Sequence, residues 1–413
     1  MKLRTLFTAM LASTSVAAAT TDSVRMGPQY ADQVFYTLGS GEVHRSPVAS
    51  WHLAFSIPGY DAAVLTNGAI GIELRHVAGS TMDDWASLDT TGMTAWPVLH
   101  NDASHWMRGA FNRIKTDDDD FDFGWGRYSM ITHTVTGSTL FVLTMPDRSV
   151  KKVRIDGLAD RTWQFTMANP DGSQEQSMRI DRREFAGKLF AYVDLASMAV
   201  IDREPGASWD LTFTRYTQPV PTGPATSLDY PVMGILSHPD VRTAAVVGRP
   251  ASAVMAPTDT AAYSAAANAI GADWKRFDAG RWSLNDSTAW FIRARSGTIF
   301  RFVPLAFSGG STGTTTFRVE AIPTHVDEGR PSSAIALTPS MVTAGDAPLL
   351  VTDGAHSPSI RVVDARGVTV LALPGTPGFT ATPIPTHSLP AGRYTVLVTE
   401  ATSFTSLPLV VVR

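Results

Sequence analysis

The sequence predicts an all-β fold, two related antiparallel β domains followed by a small Ig-like β-sandwich, and three observations carry that prediction. Apolar and polar residues alternate in short runs broken by Gly, Pro, Asn or Asp, which is the pattern of half-buried strands joined by turns. Gly (32) and Pro (26) are frequent among the 413 residues, while apolar residues make up 44% and charged residues 17%, the balance of a folded, turn-rich chain. The chain also repeats itself, and a repeat decides architecture. Ala49-Ser50-Trp51-His52-Leu53-Ala54-Phe55-Ser56 matches Ala207-Ser208-Trp209-Asp210-Leu211-Thr212-Phe213-Thr214, 158 positions on (209 − 51), with the indole, Leu and Phe at alternate positions of one strand face.

Along the chain, Lys2 and Arg4 precede a mildly apolar run from Leu6 to Ala19 that ends in three alanines, so residues 1–19 read as a secretory signal peptide cut before Thr20. The run is shorter than the roughly 20 apolar residues a membrane-spanning helix needs, and no later segment is long enough, so no transmembrane segment is expected. Residues 20–170 and 171–330 are read as the two related β domains. Each also holds a hairpin: Ser138-Thr139-Leu140-Phe141-Val142-Leu143 turns at Pro146-Asp147-Arg148, and Ser287-Thr288-Ala289-Trp290-Phe291-Ile292 turns at Arg295-Ser296-Gly297. After the stretch around Gly329-Arg330-Pro331, about seven short apolar runs in residues 331–413 suit a small sandwich. The alanine-rich Ala261–Gly271 is the best helix candidate.

The composition excludes several classes of function. A net charge of −4 and a pI near 6.2 provide no broad basic field, so nucleic acid is not an expected partner. With no Cys, disulfides, thiolate metal sites and a Cys nucleophile are ruled out. There is no H-E-x-x-H helix, no phosphate loop and no dinucleotide fingerprint. Gly309-Gly310-Ser311-Thr312-Gly313 matches the bare G-x-S-x-G string, but Thr314 to Val319 reads as a strand where a nucleophile elbow needs a helix. The chain is therefore read as a non-enzyme. The run Asp117 to Asp120, with Asp122, could hold Ca²⁺ through carboxylate oxygens, though like-charge runs are more often solvated loops.

Ten His and fourteen Met remain as possible iron ligands. Those between the matching segments are Met93, His100, His105, Met107 and His133 in the first repeat, and Met233, His238 and Met255 in the second. The many Trp residues could stack on a ligand, or serve as core and cross-strand pairs.

Ser208-Trp209-Asp210-Leu211-Thr212-Phe213-Thr214-Arg215-Tyr216, then Gly271-Ala272-Asp273-Trp274-Lys275, then Trp290-Phe291-Ile292 to Arg301-Phe302, resembles the HmuY family of haem-binding surface proteins. The resemblance covers roughly residues 175–322, and the duplication extends a weaker version over about 29–168, through Trp51 to Phe55 and Leu65-Thr66-Asn67-Gly68. It implies an all-β fold that grips haem between projecting strands, with axial His or Met ligands. The implied haem-ligand candidates are His238 and Met233 in the better-matched repeat, and His133, His105 and His100 in the other. The chain departs from that family in lacking a lipid-bearing cysteine and in being doubled.

The C-terminal region resembles the sorting domain read by type IX secretion in certain Gram-negative bacteria, through Val363-Asp364-Ala365-Arg366-Gly367, Leu389-Pro390-Ala391-Gly392-Arg393-Tyr394-Thr395-Val396 and a final apolar strand ending in Arg413. The resemblances together imply a secreted or cell-surface haem-binding protein whose partners are haem, or another surface ligand, and the type IX secretion machinery. The competing expectation is a non-catalytic surface β-protein for adhesion, glycan or protein binding that has lost the haem site.

Overall fold

A computed structural model describes residues 19–206, 209–223, 226–257, 262–322, 335–354, 358–374, 378–400 and 403–412. Residues 1–18 of the expected signal peptide, the expected boundary at 330/331 and Gly329-Arg330-Pro331 lie outside them. The chain forms two compact units, Met1–Pro323 and Thr324–Arg413. The protein is all-β: strands dominate, and the helical segments among the described residues are 3₁₀ turns of three or four residues. The helix expected over Ala261–Gly271 is absent from 262–271. An isolated helix that short is marginal in water, and here strands take its backbone groups: Ser264 N donates to Thr243 O (2.9 Å) and Gly271 N to Ile235 O (3.0 Å).

The larger unit contains two lobes, each with a longer and a shorter sheet. In the first lobe the longer sheet runs, in spatial order, Gln176–Asp181, Thr162–Ala168, Val150–Ala159, Phe141–Thr144, Glu73–His76 and Val98–Leu99, and the shorter one Ala199–Ile201, Phe190–Asp194, Leu53–Ser56 and Val64–Thr66. The second lobe repeats the plan with a five-stranded sheet, Thr20–Arg25, Thr314–Ile322, Ile299–Phe307, Thr288–Arg293 and Arg242–Val247, and a four-stranded one, Gly41–Pro47, Asp32–Thr37, Leu211–Gly223 and Thr226–Ser237. The longer sheet of the first lobe is larger, because Gly126–Ser129 and Thr134–Gly137 also join it. Both hairpins read from the sequence are present, with Phe141 opposite Val153 and Trp290 opposite Phe302.

The lobes do not follow the expected boundaries at 20–170 and 171–330. Thr20–Arg25 pairs with Thr314–Ile322, and Asp32–Thr37 with Leu211–Gly223, so the first strands of the chain complete the second lobe. Their repeat partners, Gln176–Asp181 and Phe190–Asp194, complete the first. Phe190–Asp194 and Ala199–Ile201 lie 158 residues after Asp32–Thr37 and Gly41–Pro47 (190 − 32 and 199 − 41), the same offset as Trp51 and Trp209. The cause is apolar burial: Val24, Met26, Val34 and Tyr36 enter a core with Phe213, Trp290, Phe302 and Phe317, whereas residues 53–195 supply the other core around Trp125, Phe141, Trp163 and Phe165. The chain therefore crosses between lobes near residues 47–51 and again after Ala199–Ile201, near residues 203–206. A third cluster of Phe35, Ala54, Leu65, Phe190, Tyr192 and Trp209 seals the interface.

The smaller unit is built of a three-stranded sheet, Ala336–Thr338, Leu349–Gly354 and Gly378–Pro383, and a five-stranded sheet, Met341–Thr343, Ser403–Val412, Gly392–Glu400, Ser359–Asp364 and Thr369–Pro374. Met341–Thr343 runs parallel to Ser403–Val412, and the other pairings in this unit are antiparallel. Val342, Leu350, Ile360, Val362, Val396, Val398 and Leu409 form its core. Asp364 closes the turn by accepting from the backbone N–H of Arg366 (2.9 Å) and Val368 (3.0 Å), and Tyr394 donates its hydroxyl to Pro390 O (2.7 Å).

Candidate functional site

Between the lobes lies a cleft of about 1050 Å³. The first lobe lines it with Ile57 to Tyr60, Phe121, Tyr128, His133, Asp160 to Arg161, Arg182 to Arg183 and Ala186 to Leu189, and the second with His238, Asp240 and Arg295. Its size suits a drug-sized ligand, for which pockets run roughly 300–1,000 Å³.

Two of the five sequence-derived ligand candidates meet here. His133 sits on the turn between Gly126–Ser129 and Thr134–Gly137, at φ 54°. Its Nδ1 is 2.9 Å from the Tyr128 hydroxyl, and Tyr128 in turn stacks on Phe121 with ring centres 6.2 Å apart and planes within 7°. When Nδ1–H donates to that hydroxyl, Nε2 keeps a lone pair. A hydrogen bond to the other ring nitrogen is what commonly orients a metal-binding histidine.

His238 comes from the second lobe and is 5% exposed. Its Nδ1 accepts from the backbone N–H of Asp240 (3.1 Å), its ring stands edge-on to Trp209 at 4.7 Å, and its backbone N–H donates to Asp210 O (2.8 Å). Burial, with Arg295 adding to it, pushes the imidazole down to about 4, so it is neutral at pH 7. Because Nδ1 accepts, the single proton is on Nε2. In this tautomer His238 is set up as a hydrogen-bond donor at Nε2, with the Asp240 carboxylate 3.5 Å from Nδ1.

The other candidates are elsewhere. His100 and His105 line a second pocket between the lobes, about 80 Å³, walled by Trp51, Trp106, Tyr192 and Tyr216. That space is too small for a porphyrin as it stands. His100 Nε2 lies 3.6 Å from Asp229, and His105 Nδ1 accepts from Met107 N (3.2 Å). Met233 is packed in the second core. The acidic loop is engaged internally: Asp119 pairs with Arg127 (2.8 Å) and Asp122 accepts from Thr116 N and Gly124 N. Among the described residues, no group of three or more His, Asp or Glu is placed to hold a metal ion. Gly309–Ser311 is a short 3₁₀ turn leading into strand Thr314–Ile322, as a glycine-rich turn would.

The cleft is basic. Arg183 pairs with Asp160 (2.7 Å) and Asp181 (3.1 Å), Lys188 with Asp202, and Arg295 lies 3.5 Å from Asp240. Arg182 is spent on carbonyls, donating to Ser56 O (2.9 Å), Gly59 O (3.0 Å) and Asp61 O. Burial lowers it to about 10, with Asp61 opposing and the neighbouring Arg161 charge assisting. Arg161, exposed at the turn after Val150–Ala159, makes no ion pair among the described residues. The cleft therefore presents a free guanidinium, aromatic surface from Tyr60, Phe121 and Tyr128, and two histidines.

Sequence reasoning missed the residues behind this wall. Glu204 is 3% exposed and accepts from Leu189 N (2.9 Å), Phe190 N (3.2 Å) and Trp209 Nε1 (3.1 Å). Arg203, 1% exposed, donates to Pro47 O (3.3 Å), Ser50 Oγ (3.0 Å) and Gln33 Oε1 (2.7 Å), with its guanidinium over Trp51 and Tyr192. The available signal was an Arg-Glu pair just before the second Ser-Trp motif, at the lobe crossover.

No helix among the described residues is long and apolar enough to cross a membrane. No family model matches this chain, and no curated protein does. A solved structure titled "Biofilm associated protein - BSP domain" is aligned at 8% identity over 99% of this chain and 84% of that one, with a TM-score of 0.15. At that score the likeness carries nothing about fold or function.

Proposed function

We propose that this chain is a secreted or cell-surface haem-binding protein, exported by type IX secretion through its C-terminal unit, and that haem occupies the cleft between the lobes. The observation that carries the reading is His133, whose Nε2 takes no hydrogen bond among the described residues, on the wall of a basic cleft large enough for a porphyrin. Haem supplies an iron that accepts a nitrogen lone pair and two carboxylates that need cations. In this chain His133, oriented by Tyr128, would hold the iron, Arg161 would supply a cation for a carboxylate, and His238 would offer a neutral N–H to a bound group.

A haemin titration of the whole chain tests this. The expected result is a saturable Soret shift, with His133→Ala weakening affinity by about tenfold or more, and Tyr128→Phe by less. His238→Ala is expected to leave the oxidised and reduced ligation bands in place. A flat titration removes haem. It would favour the surface β-protein reading, for which the small pocket walled by Trp51, Trp106, Tyr192 and Tyr216 is the place to look for a glycan.

A further inference from the structure

Glu204 joins the two walls of the cleft without lining it. One oxygen, Oε1, accepts from Leu189 N and from the indole of Trp209; the other, Oε2, accepts from Phe190 N. Leu189 is itself a cleft residue, next to Lys188, and its carbonyl accepts from Ile57 N (2.8 Å), so it straps the segment Ile57 to Tyr60 to the floor. Trp209 holds the opposite side, since its ring backs the buried His238. A single carboxylate thus fixes a first-lobe wall and a second-lobe wall.

We propose that Glu204 is a positioning residue for the cleft, and that its protonation loosens both walls and weakens ligand binding. The inference rests on the haem-binding reading for its ligand. Three N–H donors converge on this carboxyl, so the ionised form satisfies all of them. A proton on Oε2 would meet the Phe190 N–H donor to donor and break that bond, freeing the start of strand Phe190–Asp194 beside Leu189.

The charged groups around Glu204 set the range in which this occurs. Burial raises it to about 7, opposed by the Leu189, Trp209 and Phe190 donors and by Lys188. Lys188, preceding its strand, is paired with Asp202. Tyr192, on that strand, is pushed up by burial and by Glu204, and so stays neutral. Arg203, the preceding residue, is held down to about 10 by burial and stays charged, its hydrogen bonds directed to Pro47, Ser50 and Gln33. His238, behind Trp209 and flanked by Asp240 and Arg295, titrates near 4 and is silent around neutrality.

The test is haemin affinity at pH 6 and pH 8 for the natural chain and for Glu204→Gln, whose amide mimics the protonated acid. The natural chain is expected to bind roughly tenfold tighter at pH 8, a typical coupling between sites. Glu204→Gln is expected to bind at both pH values as the natural chain does at pH 6. An equal pH dependence in the two proteins overturns the proposal while leaving haem binding intact.

Absence of haemin binding at any pH sinks the haem reading instead, and the latch is then judged on the free protein. There, the Phe190 amide and Trp209 indole N–H resonances should titrate with a midpoint near 7 that is lost in Glu204→Gln. Resonances that do not move between pH 5 and 9 overturn the proposal. Should Glu204→Gln fail to fold, Trp209→Phe serves, because removing a donor to the charged form must move the midpoint of the Phe190 amide to higher pH. An unmoved midpoint overturns it.

Discussion

Replacing Arg203 by alanine is expected to destabilise the 1–323 unit by about 3–5 kcal/mol, the combined cost of a large buried cavity and an acceptor left without its donor. The guanidinium sits where the chain crosses between lobes. It ties residue 203, on the second crossover, to Pro47 and Ser50 on the first and to Gln33 on a second-lobe strand. Its loss strands the buried Gln33 amide oxygen, and it opens a cavity beneath Trp51 and Tyr192. Urea melts followed by tryptophan fluorescence check the value. The same melts show whether one transition splits into two as the lobes uncouple. Arg203→Met keeps most of the volume without the charge. If Arg203→Met is as stable as the natural chain, packing alone holds the crossovers and the hydrogen bonds contribute nothing.

The second large effect is a pH dependence centred on Lys275. The residue is 8% exposed, and its ammonium donates to Met233 O (2.5 Å) and lies 4.6 Å from the Trp274 ring, 5.2 Å from Phe307 and 5.5 Å from Trp282. Burial pushes it down to about 7, with Asp273 opposing. In the unfolded chain an ordinary lysine keeps its proton until about 10.4. Between these limits the unfolded state binds more protons than the folded one, so stability rises with pH from about 7 to about 10.4. At 1.36 kcal/mol per unit the rise is on the order of 4–5 kcal/mol. The three rings favour the ammonium and work against the shift. Chemical denaturation at pH 7 and pH 10 is expected to show the natural chain gaining on Lys275→Met by an amount of this order. Parallel curves for the two proteins would mean that the rings offset burial and that Lys275 stays charged in the fold.

Much of the strand content and both hairpins were legible in the sequence because their causes are local. Alternation puts Leu211 and Phe213 on one face of a strand, and Pro146-Asp147-Arg148 or Arg295-Ser296-Gly297 supplies the turn chemistry, whatever the rest of the chain does. The Ala261–Gly271 reading failed at the same level. Alanine content favours a helix by a few tenths of a kcal/mol per residue, and pairing of Ser264 and Gly271 with neighbouring strands outweighs it. The lobe boundaries were illegible for a different reason. Alternation says that Thr20–Arg25 and Asp32–Thr37 each have a buried face, but both lobes offer them an equivalent edge through the duplication.

For the candidate site, the residue types were legible and their grouping was not. His133 and His238 are 105 positions apart (238 − 133), and the folding of one lobe against the other brings both onto a cleft shared with Arg161 and Lys188. The same geometry sends His100 and His105 to a smaller pocket and seals Met233 in a core. Which nitrogen of His238 carries the proton depends on the Asp240 amide and carboxylate beside it, neither of which periodicity or composition places there. The all-β character and the inventory of polar and aromatic side chains are properties of short-range periodicity and composition, and the repeat is visible by comparing one stretch of sequence with another. The tertiary structure alone decided which strands complete which lobe, which side chains share a cleft, and how buried groups such as Arg203, Glu204 and Lys275 ionise, because these depend on desolvation and on partners distant in the chain.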